Sequence, residues 1–283
     1  VSGVSKDVPA RSETSFETQA SPAPQDGGCV SEPKIWLASA LALLLSTGTG
    51  LAEIRSGSEF LSPEMRRQQA DETRNPAYFW VEQGQELFTA RPDGGPSCQS
   101  CHAEPRQSLR GAATHYPQVD RATGKLLNLE GRIEQCRVER QKQPAFGYES
   151  AELLALTAYL GSLSRGMPVD VATEGPAKPF YDAGKAFFER RQGQLNLSCK
   201  QCHDELVGQH LRGDTISHGA GTGYPAYRLE WNTVGSLHRR LRACSLGVRA
   251  TQFDYGSPEY LALELYLAGR AKGLPVETPG IRR

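Results

Sequence analysis

Two copies of one pentapeptide, Cys98-Gln99-Ser100-Cys101-His102 and Cys199-Lys200-Gln201-Cys202-His203, stand about a hundred residues apart. Cys-x-x-Cys-His is the attachment pattern of c-type haem: the two thiols bond the porphyrin vinyls and the adjoining histidine binds the iron. A zinc site would need four converging ligands, and a redox dithiol would need no histidine. The expected cofactors are therefore two covalently bound haem c groups. Cys98, Cys101, Cys199 and Cys202 are the thioether positions, and His102 and His203 are axial ligands. Each haem then falls to a lobe of about a hundred residues, whose small core needs the porphyrin's apolar surface. The balance of 32 basic against 32 acidic residues gives no reason to expect nucleic acid as a partner.

The repeat extends well past the motifs. Gly84-Gln85-Glu86-Leu87-Phe88 returns as Gly184-Lys185-Ala186-Phe187-Phe188, and Leu109-Arg110-Gly111 as Leu211-Arg212-Gly213. Tyr116-Pro117 precedes Cys136 by twenty residues, and Tyr224-Pro225 precedes Cys244 by the same twenty. Gly166-Met167-Pro168-Val169-Asp170 answers Gly273-Leu274-Pro275-Val276-Glu277. Helical spacing is expected over 76–90, 149–163, 177–191 and 257–270. Ser257 and Pro258 open the last segment as cap and first turn. No segment alternates long enough to suggest a sheet. The predicted fold is all-α: two tandem cytochrome c-like lobes, residues 76–170 and 177–283, joined by a linker from Val169 to Pro179 and preceded by an extension over 53–75.

Residues 1–52 are read as a signal-peptide region. Lys34, the apolar run Ile35–Leu45, and small Gly50 and Ala52 fit an export signal with its cleavage site. Polar residues 1–29 do not resemble such a start. Val30 makes a more ordinary one, which would leave 1–29, with Cys29, as a mis-assigned beginning. The alternative is a retained anchor, disfavoured because eleven residues are too few to span a bilayer. The expected mature protein is periplasmic, with no membrane span after cleavage.

Each iron needs a second axial ligand. Met65 and Met167 do not recur between the lobes, nor do His115, His210, His218 and His238. A lone cysteine does recur, so the expected ligand pairs are His102/Cys136 and His203/Cys244. The alternatives are buried inert thiols or a Cys136–Cys244 disulfide. Around Cys136, Glu130, Glu134 and Glu139 are mixed with arginines. From Leu237 to Arg249 there are His238, Arg239, Arg240, Arg242 and Arg249 and no acid. Both lone cysteines sit in Arg-rich segments and are read as stabilised thiolates, and the contrast in acids makes lobe two the candidate anion-binding lobe, with Arg240 its substrate residue. Arg132 has the same spacing to Cys136, so a role with haem propionates stays open for both. Lobe two also has six extra residues in its glycine-rich loop, Asp214–Gly223.

The string Tyr224–Trp231, followed by Gly235–Arg240, Cys244, Val248-Arg249-Ala250 and Gly256–Leu267, resembles the SoxA family. These are cytochrome subunits of the SoxAX complex in periplasmic thiosulfate oxidation. The resemblance covers about residues 76–280 and, with both haem motifs present, points to the dihaem type. It implies an L-cysteine S-thiosulfotransferase that joins thiosulfate oxidatively to the C-terminal cysteine of the SoxYZ carrier. Two electrons pass to the haem of SoxX and a downstream cytochrome c. It also implies that Cys244 is the active-site ligand, carried as a persulfide. Arg240 is then catalytic, and Arg239, Arg249 and Arg270 are lesser candidates for binding substrate. The rivals are a dihaem electron carrier without chemistry of its own, a tetrathionate-forming thiosulfate dehydrogenase, and a dihaem peroxidase. The last is disfavoured because Cys244 would fill the open iron position.

Overall fold

In each half the same two helices cross where a glycine leaves room for nothing larger than hydrogen. The computed structural model describes residues 53–283; the leader read over 1–52, with Cys29, lies outside them. Helix α1 (Pro63–Ala70) lies in the segment ahead of lobe one. Lobe one then carries α2 (Tyr78–Thr89), α3 (Cys98–His102), α4 (Pro105–Ser108), α5 (Leu129–Glu139) and α6 (Ala151–Ser162). Lobe two carries α7 (Lys178–Glu189), α8 (Leu237–Gly247) and α9 (Pro258–Arg270). A Cβ on Gly84 of α2 would run into the Ala155 carbonyl of α6, and one on Gly184 of α7 into the Ala262 carbonyl of α9. That close approach is why the repeated motif has glycine at this point. Beside it, Phe88 and Phe188 are buried together with Tyr159 and Tyr266, forming one apolar core per lobe.

The four predicted helices stand where their spacing placed them. Ser257 caps α9 by accepting the Tyr260 amide, and Pro258 sits in the first turn. Short strands accompany them. The hairpin β1 (Gln118–Val119) with β2 (Leu126–Leu127) belongs to lobe one, and β3 (His210–Leu211) pairs with β4 (Asp214–Thr215) in lobe two. Strand β5 (Ala226–Arg228) lies between antiparallel β6 (Thr233–Gly235) and parallel β7 (Gly280–Arg282). Strands of two or three residues are too short for an alternating pattern to betray them.

The repeat generates a local two-fold relation. Gly166 donates to Val276 at 2.8 Å and Gly273 to Val169 at 2.9 Å; Val276 donates to Met167 and Val169 to Leu274, both at 2.9 Å. Each bond is the other's image when the lobes exchange. Val169 and Val171, at the start of the expected linker, are consequently buried against Leu126, Leu265 and Val276. They tie the lobes together by apolar contact and do not merely span a gap. The segment ahead of lobe one grips the C-terminus: Gln69 accepts the Ile281 amide at 3.0 Å, and Ser56, Ser58 and Arg282 all bond Glu277. Among the described residues no helix is long and apolar enough to cross a membrane.

Candidate active site

Helix α8 starts at Ser236, whose hydroxyl accepts the Arg239 amide at 3.1 Å. The capped start sets the helical phase, so Arg240 and Cys244, four residues apart, share one face a turn from each other. Cys244 is half-buried and free. It is close enough to Cys199 and Cys202 for its charge to be felt at both thiols. The second motif thus converges with the lone cysteine and Arg240, although at least 37 positions separate it from them in the chain. Burial first, then Cys244, pushes the Cys199 thiol up to about 12, a site suited to a neutral thioether and hostile to a free thiolate.

The residues fit a covalent haem. The His203 ring holds its Nδ1 2.7 Å from the Ser217 carbonyl. That contact puts the proton on Nδ1 and leaves Nε2 unprotonated for iron. Gly219 lies against the same ring, where a Cβ would stand 3.1 Å from it. Arg270 reaches over the Phe188 ring, 4.4 Å from its centroid, and pairs with Asp204, next to His203. Its Nη1 is buried without a partner, and a haem carboxylate would satisfy it. These contacts place Arg270 beside the attachment motif. In lobe one, Cys98 belongs to the rim of the apolar core and Phe88 lies beside His102, centroids 6.3 Å apart. Cys136 interacts with both Cys98 and Cys101. All six described cysteines are free, so the alternative of a Cys136–Cys244 disulfide is not realised.

The charges differ from the sequence expectation in two respects. The acid-free run around Cys244 is not acid-free in space: Glu149 of lobe one approaches Arg239 at 3.8 Å, and Glu230 approaches Arg240 at 3.9 Å. Burial also raises the pKa of Cys136 despite Arg132 and Arg140, against the expectation of a stabilised thiolate there. The other arginines divide as follows. Arg242 ties down the loop at Gln252 and Phe253. Arg249, exposed and with φ of 55°, follows the end of α8 and has no carboxylate partner among the described residues. Arg239 packs on Trp231. Arg240 is left as the guanidinium facing the sulfur, and Cys244 is the largest influence raising its pKa.

Several residues carry no signal in the sequence pattern. Arg132, the counterpart of Arg240, pairs at 3.1 Å with Asp120, whose side chain is only 9 % exposed. The position equivalent to Asp120 in lobe two is Arg228, itself 4 % exposed. Extending the equal Tyr–Cys spacing of the two lobes position by position would have exposed this inversion of charge. A second cluster lies at the lobe interface. Glu130 and His238, equivalent in the repeat, meet there with Glu264 and Tyr148. The His238 Nε2 stands 2.9 Å from Glu264, and the ring stacks on Tyr148. Burial, then Glu264, pushes the Glu130 carboxyl up to about 7. Beside it is a cavity of about 90 Å³ lined by Tyr116 and Tyr224. No local pattern advertises a cluster assembled from four separated segments.

A Cys-x-x-Cys-His segment under a phenylalanine-rich helix pair, with its histidine held through Nδ1, defines a c-type cytochrome. The profile of the SoxA/TsdA cytochrome c domain matches twice, over residues 83–169 and 183–276. The chain belongs to that family. It is 37% identical over 232 residues to the L-cysteine S-thiosulfotransferase subunit SoxA of Rhodovulum sulfidophilum, spanning 81% of this chain and 80% of that protein. Against the subunit of the same name from Paracoccus pantotrophus it is 36% identical over 230 residues, 81% and 79% of the two chains. The crystal structure of SoxXA from P. pantotrophus superposes with a TM-score of 0.78 at 36% identity, covering 81% of this chain and 87% of that one.

Proposed function

We propose that this chain works as the SoxA-type subunit of a periplasmic SoxAX pair and acts as an L-cysteine S-thiosulfotransferase. One haem c is attached in each lobe, and the centre at Cys244 joins thiosulfate to the C-terminal cysteine of a SoxYZ carrier. The observation that carries this reading is the face of α8 on which Arg240 stands one turn from a half-buried Cys244 beside the second attachment motif.

The residues perform the reaction as follows. Thiosulfate is a dianion, and Arg240 draws it to the cysteine, offering paired hydrogen bonds to sulfonate oxygens so that the outer sulfur points inward. Cys244 and His203 would hold the iron, and Cys244 as a persulfide would present a further sulfur to substrate. The carrier thiol loses its proton, one sulfur–sulfur bond forms to the outer sulfur of thiosulfate, and two electrons depart. Cys199 and Cys202 would hold a haem c, whose chemistry there would be to accept electrons one at a time. The Ser217 carbonyl keeps the His203 ring fixed, limiting reorganisation on electron transfer. SoxX and a downstream cytochrome c receive the electrons. Arg270, paired with Asp204, serves a haem carboxylate better than a free substrate. Cys136 and His102 complete the first centre in a setting where Arg132 is already neutralised.

The deciding experiment compares Cys244→Ala with Cys136→Ala. Thiosulfate conjugation to the carrier should fall by at least about 100-fold in the first and stay within about threefold of wild type in the second. Equal losses in the two variants would remove the assignment to lobe two.

A further inference from the structure

Resting on the anion-binding role of Arg240, we infer that Glu230 is a built-in competitor for the substrate dianion, and that Arg228 is the positioning residue that draws it off Arg240 when substrate arrives. A single oxygen of Glu230 faces both guanidinium groups. Oε1 accepts from Arg228 Nε at 2.9 Å and stands 3.9 Å from Arg240 Nη1. The first distance is a hydrogen bond and the second a loose ion contact, so the carboxylate is anchored on one arginine while it screens the other.

The two arginines differ in freedom. Arg228 sits at the end of β5 with neighbours on both sides, Thr233 of β6 and Arg282 of β7, and its side chain is 4 % exposed. The Arg228 carbonyl accepts from Trp231 and Asn232, closing the turn that presents Glu230. Trp231 lies 5.1 Å from the Arg228 guanidinium carbon and 4.4 Å from that of Arg239. Arg228 Nη2 is buried without a hydrogen-bond partner, its nearest carboxylate being Asp214 at 3.9 Å. A buried guanidinium with a vacant donor favours keeping a carboxylate beside it. Glu230 is 52 % exposed and has room to swing.

The counterpart in lobe one shows what this arrangement changes. There Asp120, itself buried, closes on Arg132 at 3.1 Å, a tighter pairing than the 3.9 Å between Glu230 and Arg240. In lobe two the same backbone position carries a positive charge, and the neutralising carboxylate is moved two residues on, to the rim. A monoanion offers Arg240 no more charge than Glu230 does, whereas a dianion offers twice as much. The competitor therefore selects for doubly charged substrate, and Arg228 retains the displaced carboxylate.

Sulfate, a dianion the centre does not oxidise, isolates this step from turnover and from the chemistry of Cys244. Its affinity for the haem-loaded protein is measured by titration calorimetry at constant ionic strength. E230Q should tighten sulfate binding about fivefold, the scale of one half-exposed ion pair, with at least as large a gain for chloride. R228Q should weaken it by a similar factor, because an unanchored Glu230 closes on Arg240. The double variant R228Q/E230Q should bind as tightly as E230Q, an epistasis that a structural role for Arg228 would not produce. Unchanged or weaker binding in E230Q, or a double variant as weak as R228Q, overturns the inference, as does failure of every form to bind sulfate. If R228Q does not fold, E230Q decides alone. Loss of the Cys244 assignment would leave these outcomes readable.

Discussion

The two lobes share a core and differ in where they keep their negative charge. Phe88 and Phe188, Gly84 and Gly184, and the paired segments at Pro168 and Pro275 hold the same places in each half. Yet the arginine one turn before the lone cysteine meets a buried aspartate in lobe one and an exposed glutamate in lobe two. Duplicated apolar positions are kept because each core must be filled to the same density. Charged positions at the rim are free to diverge, since moving a carboxylate by two residues costs the fold little and changes the potential around a nearby arginine. One scaffold thereby carries one arginine paired closely with a buried carboxylate and one paired loosely with an exposed one.

The sharpest way to break this contrast is to remove each arginine in turn. Arg240→Ala should lower kcat/KM for thiosulfate by about 100-fold, and Arg132→Ala by less than about threefold, in steady-state assays with the carrier. Comparable losses would mean that both arginines support haem binding and neither meets substrate.

A smaller effect separates Asp170 from Glu277, the same position in the two repeats. Asp170 forms an exposed pair with Lys272 at 3.1 Å, and Asp170→Asn should change stability by less than about 0.5 kcal/mol. Burial acts to raise the pKa of Glu277, but Arg282, Ser56 and Ser58 outweigh it and hold the carboxyl below its usual value. Glu277→Gln should cost about 2 kcal/mol, read by denaturant unfolding of the haem-loaded protein. A carboxyl depressed on folding stabilises above its unfolded pKa and loses that contribution as pH falls through the folded value. The wild type should therefore soften below about pH 4.5, and the variant less steeply.

The smallest effect tests the interface pair, Glu130 in one lobe and His238 in the other. With its pKa raised to about 7, Glu130 holds a proton in the folded chain that the unfolded chain releases near 4.5. Its contribution to stability is present at low pH and declines as pH rises from about 4.5 through 7. Glu130→Gln should flatten that slope in melting curves recorded from pH 5 to 8. A slope unchanged by the substitution would show that another group takes up the proton.

Much of this molecule is legible in the order of its residues. The motif pentapeptides name the attachment residues because covalent haem chemistry demands that spacing in sequence, and helical periodicity locates α2, α6, α7 and α9 because amphipathic packing repeats every 3.6 residues. The lone cysteines emerge from requiring one ligand to recur in both halves. The short strands, the buried linker and the grip of residues 53–75 on the C-terminus are not legible in this way, since each depends on hydrogen bonds or packing between distant segments.

The linear chain thus determined which halves correspond and which residues are candidates to hold a haem, for those properties reside in neighbouring residues. Only tertiary structure decided how the arginines are spent. Glu149 reaches Arg239 across 90 positions, and Glu230 reaches Arg240 from a turn outside the helix, so a stretch free of acids in order becomes a screened site in space. Coulomb forces act through distance in three dimensions and take no account of sequence separation.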